Sequence, residues 1–375
     1  MFCEYFPSLK RLTRPASQQH GETGPSTAAA RAVGKSGQGV CEAEKLRANT
    51  EVLDDEARGQ LINRVIVGSV VTSCFLMATP SFAAADDVLF SSDGGNFILF
   101  GGIGVANIKA QEFVYDGDHK NSQLNWKSKG VTLFTGGVDA QIDNDWSLQG
   151  SVNVGTGGNG HMVDLDWMYY SRDDWSNRSI HPKTELDHYV AGAIELDRII
   201  YGDDTSSIAV GAGYRYTDVK WNAYGGSGIY SSEGKFRDAP WKVPDGARLS
   251  SYRQKIGVGF LSLSGEHVLG DLTISGALQT GLSFGIKDID DHWLLNDRYH
   301  DYMDPAPAIG ATVAVNYALT PATSLYLSGS FDRVFGSRGD TKKYDGKTRK
   351  NEFYKDGAGA TFQRTSISFG LKSRF

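Results

Sequence analysis

The chain has 375 residues and a formal net charge of −6, so it lacks the basic surplus that nucleic-acid binding requires. No run of the sequence reaches the roughly 18 to 20 apolar residues of a transmembrane helix. With 45 glycines, 10 prolines and 11% aromatic residues, the composition favours many strands and tight turns, and hence an all-β fold.

The N-terminal part separates into two segments. Residues 1–57 are polar and aperiodic, which predicts a disordered extension or a misassigned start. Residues 58–85 have the three parts of a secretory signal peptide: the basic Arg58 and Arg64, an apolar stretch, and small residues at Ala83–Ala85 that suit cleavage. A short hydrophobic anchor is the alternative interpretation of this second segment.

Cleavage after Ala85 would leave residues 86–375 as a single domain. It would also remove Cys3, Cys41 and Cys74, which are all the cysteines of the chain. The mature protein is then expected to have no cysteine nucleophile, no disulfide and no cysteine-ligated metal.

A period of two dominates the mature chain, with an apolar face opposite a face of small or polar residues. The apolar positions in three of these runs are Ile208, Val210, Ala212, Tyr214 and Tyr216; Leu272, Ile274, Leu278, Leu282, Phe284 and Ile286; and Ile309, Ala311, Val313, Val315, Tyr317 and Leu319. A soluble sandwich would bury the apolar face against a second sheet, whereas an outer-membrane barrel turns it toward lipid.

Three features favour an antiparallel transmembrane β-barrel in the outer membrane. Several runs reach the roughly ten residues that a tilted membrane strand needs. Short turns at 143–145 and 320–323 contrast with long polar segments, which we predict to be extracellular loops. The long segments are 160–189, 218–250, 287–306 and 336–358. The C-terminal TSISFGLKSRF, with apolar alternate residues and a final Phe375, resembles the C-terminal signal of bacterial outer-membrane barrels.

Common catalytic motifs are missing from the sequence. It contains no G-x-x-x-x-G-K-[ST], no G-x-S-x-G and no H-E-x-x-H, so phosphate-loop, serine-hydrolase and zincin functions lack support.

Two short acidic patterns stand out, and the first is GHMVDLDWM. Here Asp164 and Asp166 lie at i and i+2, on one face of an extended backbone. Like charges so placed repel each other unless a cation, a shared proton or a water lies between them. Taken alone, the pair fits a solvated strand end.

The second pattern, KDIDDHW, puts Asp290 and His292 at the same spacing. A carboxylate beside an imidazole raises the histidine pKa and orients the ring, as a general base acting on water requires. Surface solvation and a Ca²⁺ site are the alternatives, although the regular EF-hand spacing is missing.

These patterns belong to a wider likeness. The chain resembles the omptins, outer-membrane proteases of Gram-negative bacteria, from about Phe97 to Phe375. The matching pieces are GHMVDLDWM, SIHPKT, AGY at 212–214, YSSEGKFRD at 230–238, IDDH at 289–292 and GAGATF at 357–362. The resemblance implies a ten-stranded antiparallel barrel with an active-site groove at its extracellular rim.

The family's functional residues carry over onto charged side chains of this sequence. The catalytic pairs fall on Asp164 with Asp166 and on Asp290 with His292, and the acids that bind a basic substrate side chain fall on Glu112 and Asp288. The resemblance implies an endopeptidase in which an Asp–His dyad and an opposing Asp pair activate water, without a metal or a covalent intermediate. Its expected substrates are polypeptides, cleaved after or between basic residues.

The sequence departs from the family pattern just before the matching SIHPKT segment. Ser176 and Asn177 stand where the pattern has Thr and Asp, close to Ser179 and His181, which we consider supporting residues of the site.

A second departure concerns lipopolysaccharide, which the family binds on its outer surface. Tyr214 is kept and Lys255 retains a basic residue, but Tyr216 and Asp218 stand where an acid and an arginine are expected. The resemblance implies no other cofactor, and the sequence leaves open whether activity requires lipopolysaccharide.

Two functions without catalysis are alternatives to the endopeptidase. One is a catalytically silent barrel that serves as an adhesin or receptor for basic ligands, and the other is a passive porin. The presence of all four catalytic residue types at the matching positions favours the enzyme.

Overall fold

The computed structural model describes residues 97–232 and 234–375. The predicted extension at 1–57, the predicted signal peptide at 58–85 and the first residues of the predicted barrel domain lie outside the described residues. Within the described ranges, no helix has the length and hydrophobicity needed to cross a membrane.

Twelve strand segments make up nearly all of the described chain. They are β1 (Phe97–Asp116), β2 (His119–Gln141), β3 (Trp146–Thr156), β4 (Asn159–Asp166), β5 (Asn177–Gly202), β6 (Ser206–Tyr230), β7 (Ala239–Leu269), β8 (Leu272–His292), β9 (Asp297–Met303), β10 (Pro307–Thr320), β11 (Thr323–Asp345) and β12 (Lys350–Arg374).

The segments form one closed antiparallel ring of ten strands in the described part of the chain. Strands follow each other around the ring in chain order, and β12 pairs with β1 to close it. Segments β3 and β4 both lie between β2 and β5, and segments β9 and β10 both lie between β8 and β11, so each pair is one interrupted strand. Gly157 and Gly158 make the first interruption, with φ values of 69° and 87° that suit glycine. The predicted ten-stranded barrel is confirmed.

A band of apolar side chains covers the outside of the ring. Its exposed members include Leu99, Ile103, Val105, Ile208, Val210, Tyr214, Tyr216, Leu272, Ile274, Leu278, Leu282, Phe284, Ile309, Val313, Val315, Tyr317, Leu319, Ile367, Phe369, Leu371 and Phe375. This is the surface that a membrane barrel presents to lipid, and the predicted apolar faces supply much of it.

The two ends of the barrel differ in how far the strands extend. At one end, tight turns at 142–145, 203–205, 270–271 and 321–322 join the strands. At the other end, the strands continue well past the apolar band before they turn. The polar segments that the sequence suggested as loops are therefore largely strand, and the connections are shorter than predicted: 117–118, 167–176, 231–238, 293–296 and 346–349. We call this end the mouth of the barrel.

The prediction that Ile286 lies on the lipid-facing side of β8 is wrong. Phe284 is 67% exposed, but Ile286 is fully buried. The cause is a β-bulge. Ile256 pairs with Ile286 and Val258 pairs with Ser283, so β8 has one more residue than β7 between the two pairs. Gly285 takes the extra position with φ of 84°. Because successive side chains alternate, the extra residue exchanges the two faces of β8 beyond this point.

Polar side chains from distant strands meet inside the ring. Arg215 of β6 contacts Asp332 of β11 at 2.6 Å, and Arg364 of β12 donates from Nε to the same carboxylate at 2.8 Å. The ring places β6 and β11 nearly opposite each other, so the lumen is filled with side chains at this level, as in small barrels generally.

The bulge generates a prediction for Gly285→Ala. A Cβ atom at this position would lie 2.3 Å from the carbonyl oxygen of Met303, in a backbone conformation that disfavours alanine. We expect the substitution to lower the free energy of unfolding by about 1–3 kcal/mol. Urea unfolding of the refolded barrel in detergent, followed by tryptophan fluorescence, measures the loss. The control is Gly276→Ala on the same strand, where the nearest atom is at an ordinary 3.7 Å. Equal stability of the two variants would contradict the bulge.

Candidate active site

The first acidic pair lies at the mouth on β4, beyond the apolar band. Asp164 and Asp166 occupy alternate positions of this short strand, and both side chains are partly buried. Asp164 stands opposite Leu124 of β2 and Ser179 of β5 in the sheet register. The extended backbone that the sequence predicted here is present, so the two carboxyl groups share one face.

Neighbouring donors hold this acidic pair. Ser122 Oγ donates to Asp164 Oδ1 at 2.9 Å. Ser122 and Asn177 also lie close enough to the carboxyl group of Asp166 to lower its pKa. Burial raises the pKa of Asp164 to about 6, although Ser122 and His292 act in the opposite direction. Burial and the charge of Asp164 raise the pKa of Asp166 well above its usual range. Both shifts favour a proton held by the pair at a higher pH than free carboxyl groups would hold one.

The second pair lies on β8 beyond the bulge. Asp290 Oδ2 forms an ion pair with His292 Nε2, and Ser250 Oγ donates to Asp290 Oδ1 at 2.7 Å. Burial lowers the pKa of His292, but the charge and hydrogen bond of Asp290 outweigh it, so the net shift is upward. Because Nε2 faces Asp290, Nδ1 is the ring nitrogen left to exchange a proton with another group.

The two pairs act on each other electrostatically. The charge of Asp164 raises the pKa of His292, and the charge of His292 in turn lowers that of Asp164. The Asp290 carboxylate opposes this by raising the pKa of Asp164. The four predicted residues thus lie at one end of the barrel, within the range over which buried charges interact.

Two further acids, Glu112 and Asp288, are buried beside the pairs at 3% and 2% exposure. Trp126 Nε1 donates to Glu112 Oε2 at 3.3 Å, and the Tyr252 hydroxyl donates to Asp288 Oδ2 at 2.8 Å. The two aromatic rings stack with centroids 5.4 Å apart. Burial is the first cause that raises the pKa of both acids well above the usual range, and repulsion by neighbouring carboxylates adds to it.

The supporting candidates Ser179 and His181 form a buried unit of their own. Ser179 Oγ lies 2.9 Å from His181 Nε2, and His181 Nδ1 lies 2.6 Å from the carbonyl oxygen of Gly225. Since the carbonyl can only accept, Nδ1 carries the proton and Nε2 accepts from the serine. Burial lowers the pKa of His181, which keeps its ring neutral. These contacts hold β5 against β6, and Ser179 of β5 stands opposite Asp164 in the sheet register.

The lipopolysaccharide candidates lie elsewhere, on the outer surface. Tyr214 is 42% exposed and stacks on Phe284, with ring centroids 6.0 Å apart. Lys255 stands opposite Asp218 in the register of β6 and β7. Arg253 donates to both carboxylate oxygens of Asp218, at 2.8 and 2.5 Å. A guanidinium is thus present on this surface, but an acid already pairs with it.

Several residues of the site belong to no sequence motif and are evident only from the structure. They are Ser122, Ser250 and Tyr252, which donate to the acids, and Asp301 on β9, which lies opposite Asp288 and is 5% exposed. Single polar residues on alternating strands form no motif, because strand register alone decides which of them meet. Across residues 97–232 and 234–375, no three His, Cys, Asp or Glu side chains are arranged to hold a metal ion.

The fold and site together define an outer-membrane β-barrel with an ionisable, partly buried site at its mouth. Residues 95–375 match the sequence model of the Omptin family. The chain therefore belongs to the omptin family and is an outer-membrane protease.

Individual relatives support this assignment. Protease 7 of Escherichia coli O157:H7 is 28% identical over 323 residues, which cover 83% of this chain and 99% of the relative. The outer membrane protease OmpP of E. coli K12 is 28% identical over 288 residues, which cover 73% of this chain and 88% of the relative. The crystal structure of the outer membrane protease OmpT from E. coli superposes with a TM-score of 0.73 and 26% identity, covering 77% of this chain and 99% of that one.

The raised pKa of Asp164 predicts a pH-dependent stability. The folded barrel binds this proton more tightly than the unfolded chain, whose carboxyl titrates near 3.8. The stability that Asp164 contributes is therefore fully present below about pH 4 and is lost as the pH rises through about 6. We expect Asp164→Asn to unfold at higher urea than the native protein at pH 8, by on the order of 1–3 kcal/mol, and similarly at pH 4.

The matched control for this measurement is Asp173→Asn, which removes an exposed carboxylate from the neighbouring connection. It should change stability little at either pH. If Asp164→Asn were no more stable than the native barrel at pH 8, burial of the acidic pair would not be costly.

Proposed function

We propose that the protein is an endopeptidase that cleaves polypeptides after or between basic residues by means of an activated water. The observation that carries the proposal is the electrostatic coupling of the Asp290–His292 pair to Asp164 across the mouth. A water between the pairs would meet a base on one side and a proton donor on the other.

On this proposal, His292 is the general base. Its Nδ1 would take a proton from water as the water oxygen bonds to the scissile carbonyl carbon. Asp290 holds Nε2 and stabilises the imidazolium that forms, while Ser250 holds Asp290. The proton then passes to the leaving amine as the C–N bond breaks, so no bond between enzyme and substrate is needed.

The opposite pair would manage charge on the carbonyl oxygen. The raised pKa values of Asp164 and Asp166 favour a proton on the pair, which would then hydrogen-bond to the oxyanion of the tetrahedral intermediate, where an ionised pair would repel it. Ser122 fixes the orientation of Asp164. The two pairs thus divide the work between proton removal and charge stabilisation.

Glu112 and Asp288 are the proposed binding site for a basic side chain. Asp288 lies two residues before Asp290 on the same face of β8, about 6–7 Å along the strand. On this proposal, the basic side chain bound by Asp288 would therefore lie next to the peptide bond that His292 and Asp290 attack with water. Buried carboxylates favour the guanidinium of Arg or the ammonium of Lys, whose charge relieves the repulsion between them.

The orientation of the site follows from the loops. Outer-membrane barrels place short turns in the periplasm and longer connections outside the cell, so we propose that the mouth faces the extracellular side. Lipopolysaccharide, a lipid partner of the outer surface, would contact Tyr214 and Lys255. The ion pair of Asp218 with Arg253 reduces the positive charge that is available to bind lipid phosphates.

The test is cleavage of a quenched fluorescent peptide containing Arg-Arg or Arg-Lys by the refolded barrel. We expect turnover that resists chelators and serine-protease inhibitors. Asp290→Ala and His292→Ala should each lose about 10²- to 10⁴-fold in kcat/KM, because each removes general-base catalysis. Assays with and without added lipopolysaccharide decide whether the lipid is required.

The matched control is Asp291→Asn, between the two catalytic candidates. Asp291 pairs with Arg298 at 2.6 Å on the other face of β8, so the substitution should leave kcat/KM nearly unchanged. Full activity of both Asp290→Ala and His292→Ala would refute the dyad. A native barrel that binds basic peptides but never cleaves them, with or without lipid, would be a receptor or adhesin.

A further inference from the structure

A third buried carboxyl group adjoins the proposed basic-residue pocket. Asp301 lies on β9, directly opposite Asp288 of β8 and Thr341 of β11 in the sheet register. Asp301 is 5% exposed and Asp288 is 2% exposed. The carboxyl groups of Asp288 and Asp301 are close enough to share a hydrogen bond, and both act electrostatically on Glu112.

The donors around these acids do not satisfy them. Trp126 donates to Glu112, Tyr252 donates to Asp288 Oδ2, and the Thr341 hydroxyl donates to the Asp301 carboxyl group. When both aspartates are ionised, Asp288 Oδ1 and Asp301 Oδ1 are buried without a hydrogen-bond donor. No salt bridge in the described part of the chain reaches any of the three acids. Buried oxygens of this kind are costly unless a ligand supplies the missing donors.

A nearby acid on the same strand is neutralised by a cation of the chain itself. Asp297, four residues before Asp301, forms an ion pair with the buried Lys343 at 3.1 Å. The chain therefore supplies a cation where an acid of β9 has a structural role. At Asp301 it supplies none.

We propose that Asp301 is a specificity residue: with Glu112 and Asp288 it forms a three-carboxyl pocket that selects arginine over lysine before the scissile bond. The inference rests on the proposed endopeptidase function. A guanidinium has five N–H donors in a planar fork and can reach several carboxyl groups at once, including both oxygens that lack donors. An ammonium has three donors on one atom and satisfies fewer of them.

The electrostatics of the pocket are consistent with a site built for a cation. Burial raises the pKa of Asp301 to about 6, and burial together with the neighbouring acids raises the pKa of Glu112 and Asp288 further. The groups that face Asp301 come from four strands: Glu112 of β1, Asp288, Asp290 and His292 of β8, Tyr299 of β9, and Thr341 of β11. These shifts favour protonated acids when no cation is bound, and an entering guanidinium would displace the protons.

The experiment compares Asp301→Asn with the native barrel on matched peptides that carry Arg, Lys or the neutral isostere citrulline before the scissile bond. For the native protein we expect kcat/KM to fall in the order Arg, Lys, citrulline. The substitution should raise KM for the Arg peptide about tenfold, as expected for loss of one charge-assisted contact, with kcat nearly unchanged. KM for the Lys peptide should rise less, so the Arg/Lys preference narrows.

Two controls separate specificity from structure. Asp304→Asn removes an exposed carboxylate just beyond β9 and should leave the Arg/Lys ratio unchanged. Heat-modifiable migration in gels reports whether each variant forms the barrel. In the native protein, KM for the Arg peptide should also fall as the pH rises from 5 to 8, because the pocket loses protons, and this dependence should weaken in Asp301→Asn.

An unchanged Arg/Lys ratio and unchanged KM in a correctly folded Asp301→Asn barrel would overturn the inference. A change in kcat alone would also overturn it, since that result would assign Asp301 to the chemical step. If the native barrel cleaved none of the basic peptides, the endopeptidase proposal itself would fail, which is a distinct result.

Discussion

The mouth of this barrel depends on one extra residue in β8. Up to Phe284, the even-numbered side chains of the strand face lipid, and without the bulge Asp288, Asp290 and His292 would continue on that outer face. Gly285 accepts the left-handed conformation of the bulge, and the faces exchange. These three candidate site residues thereby turn into the lumen just where β8 leaves the apolar band.

Buried acids inside the barrel are paired with arginines at the level of the apolar band, but not at the mouth. Within the band, Asp332 is matched by Arg215 and Arg364, as the cost of burying charge demands. At the mouth, six carboxylic acids surround a single histidine without such partners, and burial raises the pKa of five of them. The six are Glu112, Asp164, Asp166, Asp288, Asp290 and Asp301. This imbalance destabilises the fold locally and favours a ligand that brings positive charge or accepts a proton.

Much of the fold could be predicted from the sequence because the period of two is a direct consequence of lipid on one side and a packed lumen on the other. Alternation placed Phe369 and Leu371 outward correctly, and the two acidic patterns lie on extended strands as expected. Ile286 was assigned to the wrong face because a single extra residue leaves no trace in composition. Asp301 and Ser122 were missed because their importance arises only from the register of neighbouring strands.

The most direct test of the site is the pKa of His292 itself, measured by NMR titration of histidine-labelled barrel in detergent. The resonance is identified by its loss in His292→Ala. If the two pairs face one another across a shared water, Asp164→Asn should lower the pKa of His292, because the Asp164 charge helps to raise it. Asp291→Asn, on the other face of β8, should have little effect. An unchanged His292 pKa in Asp164→Asn would contradict the account, since the two halves of the site would then not act together.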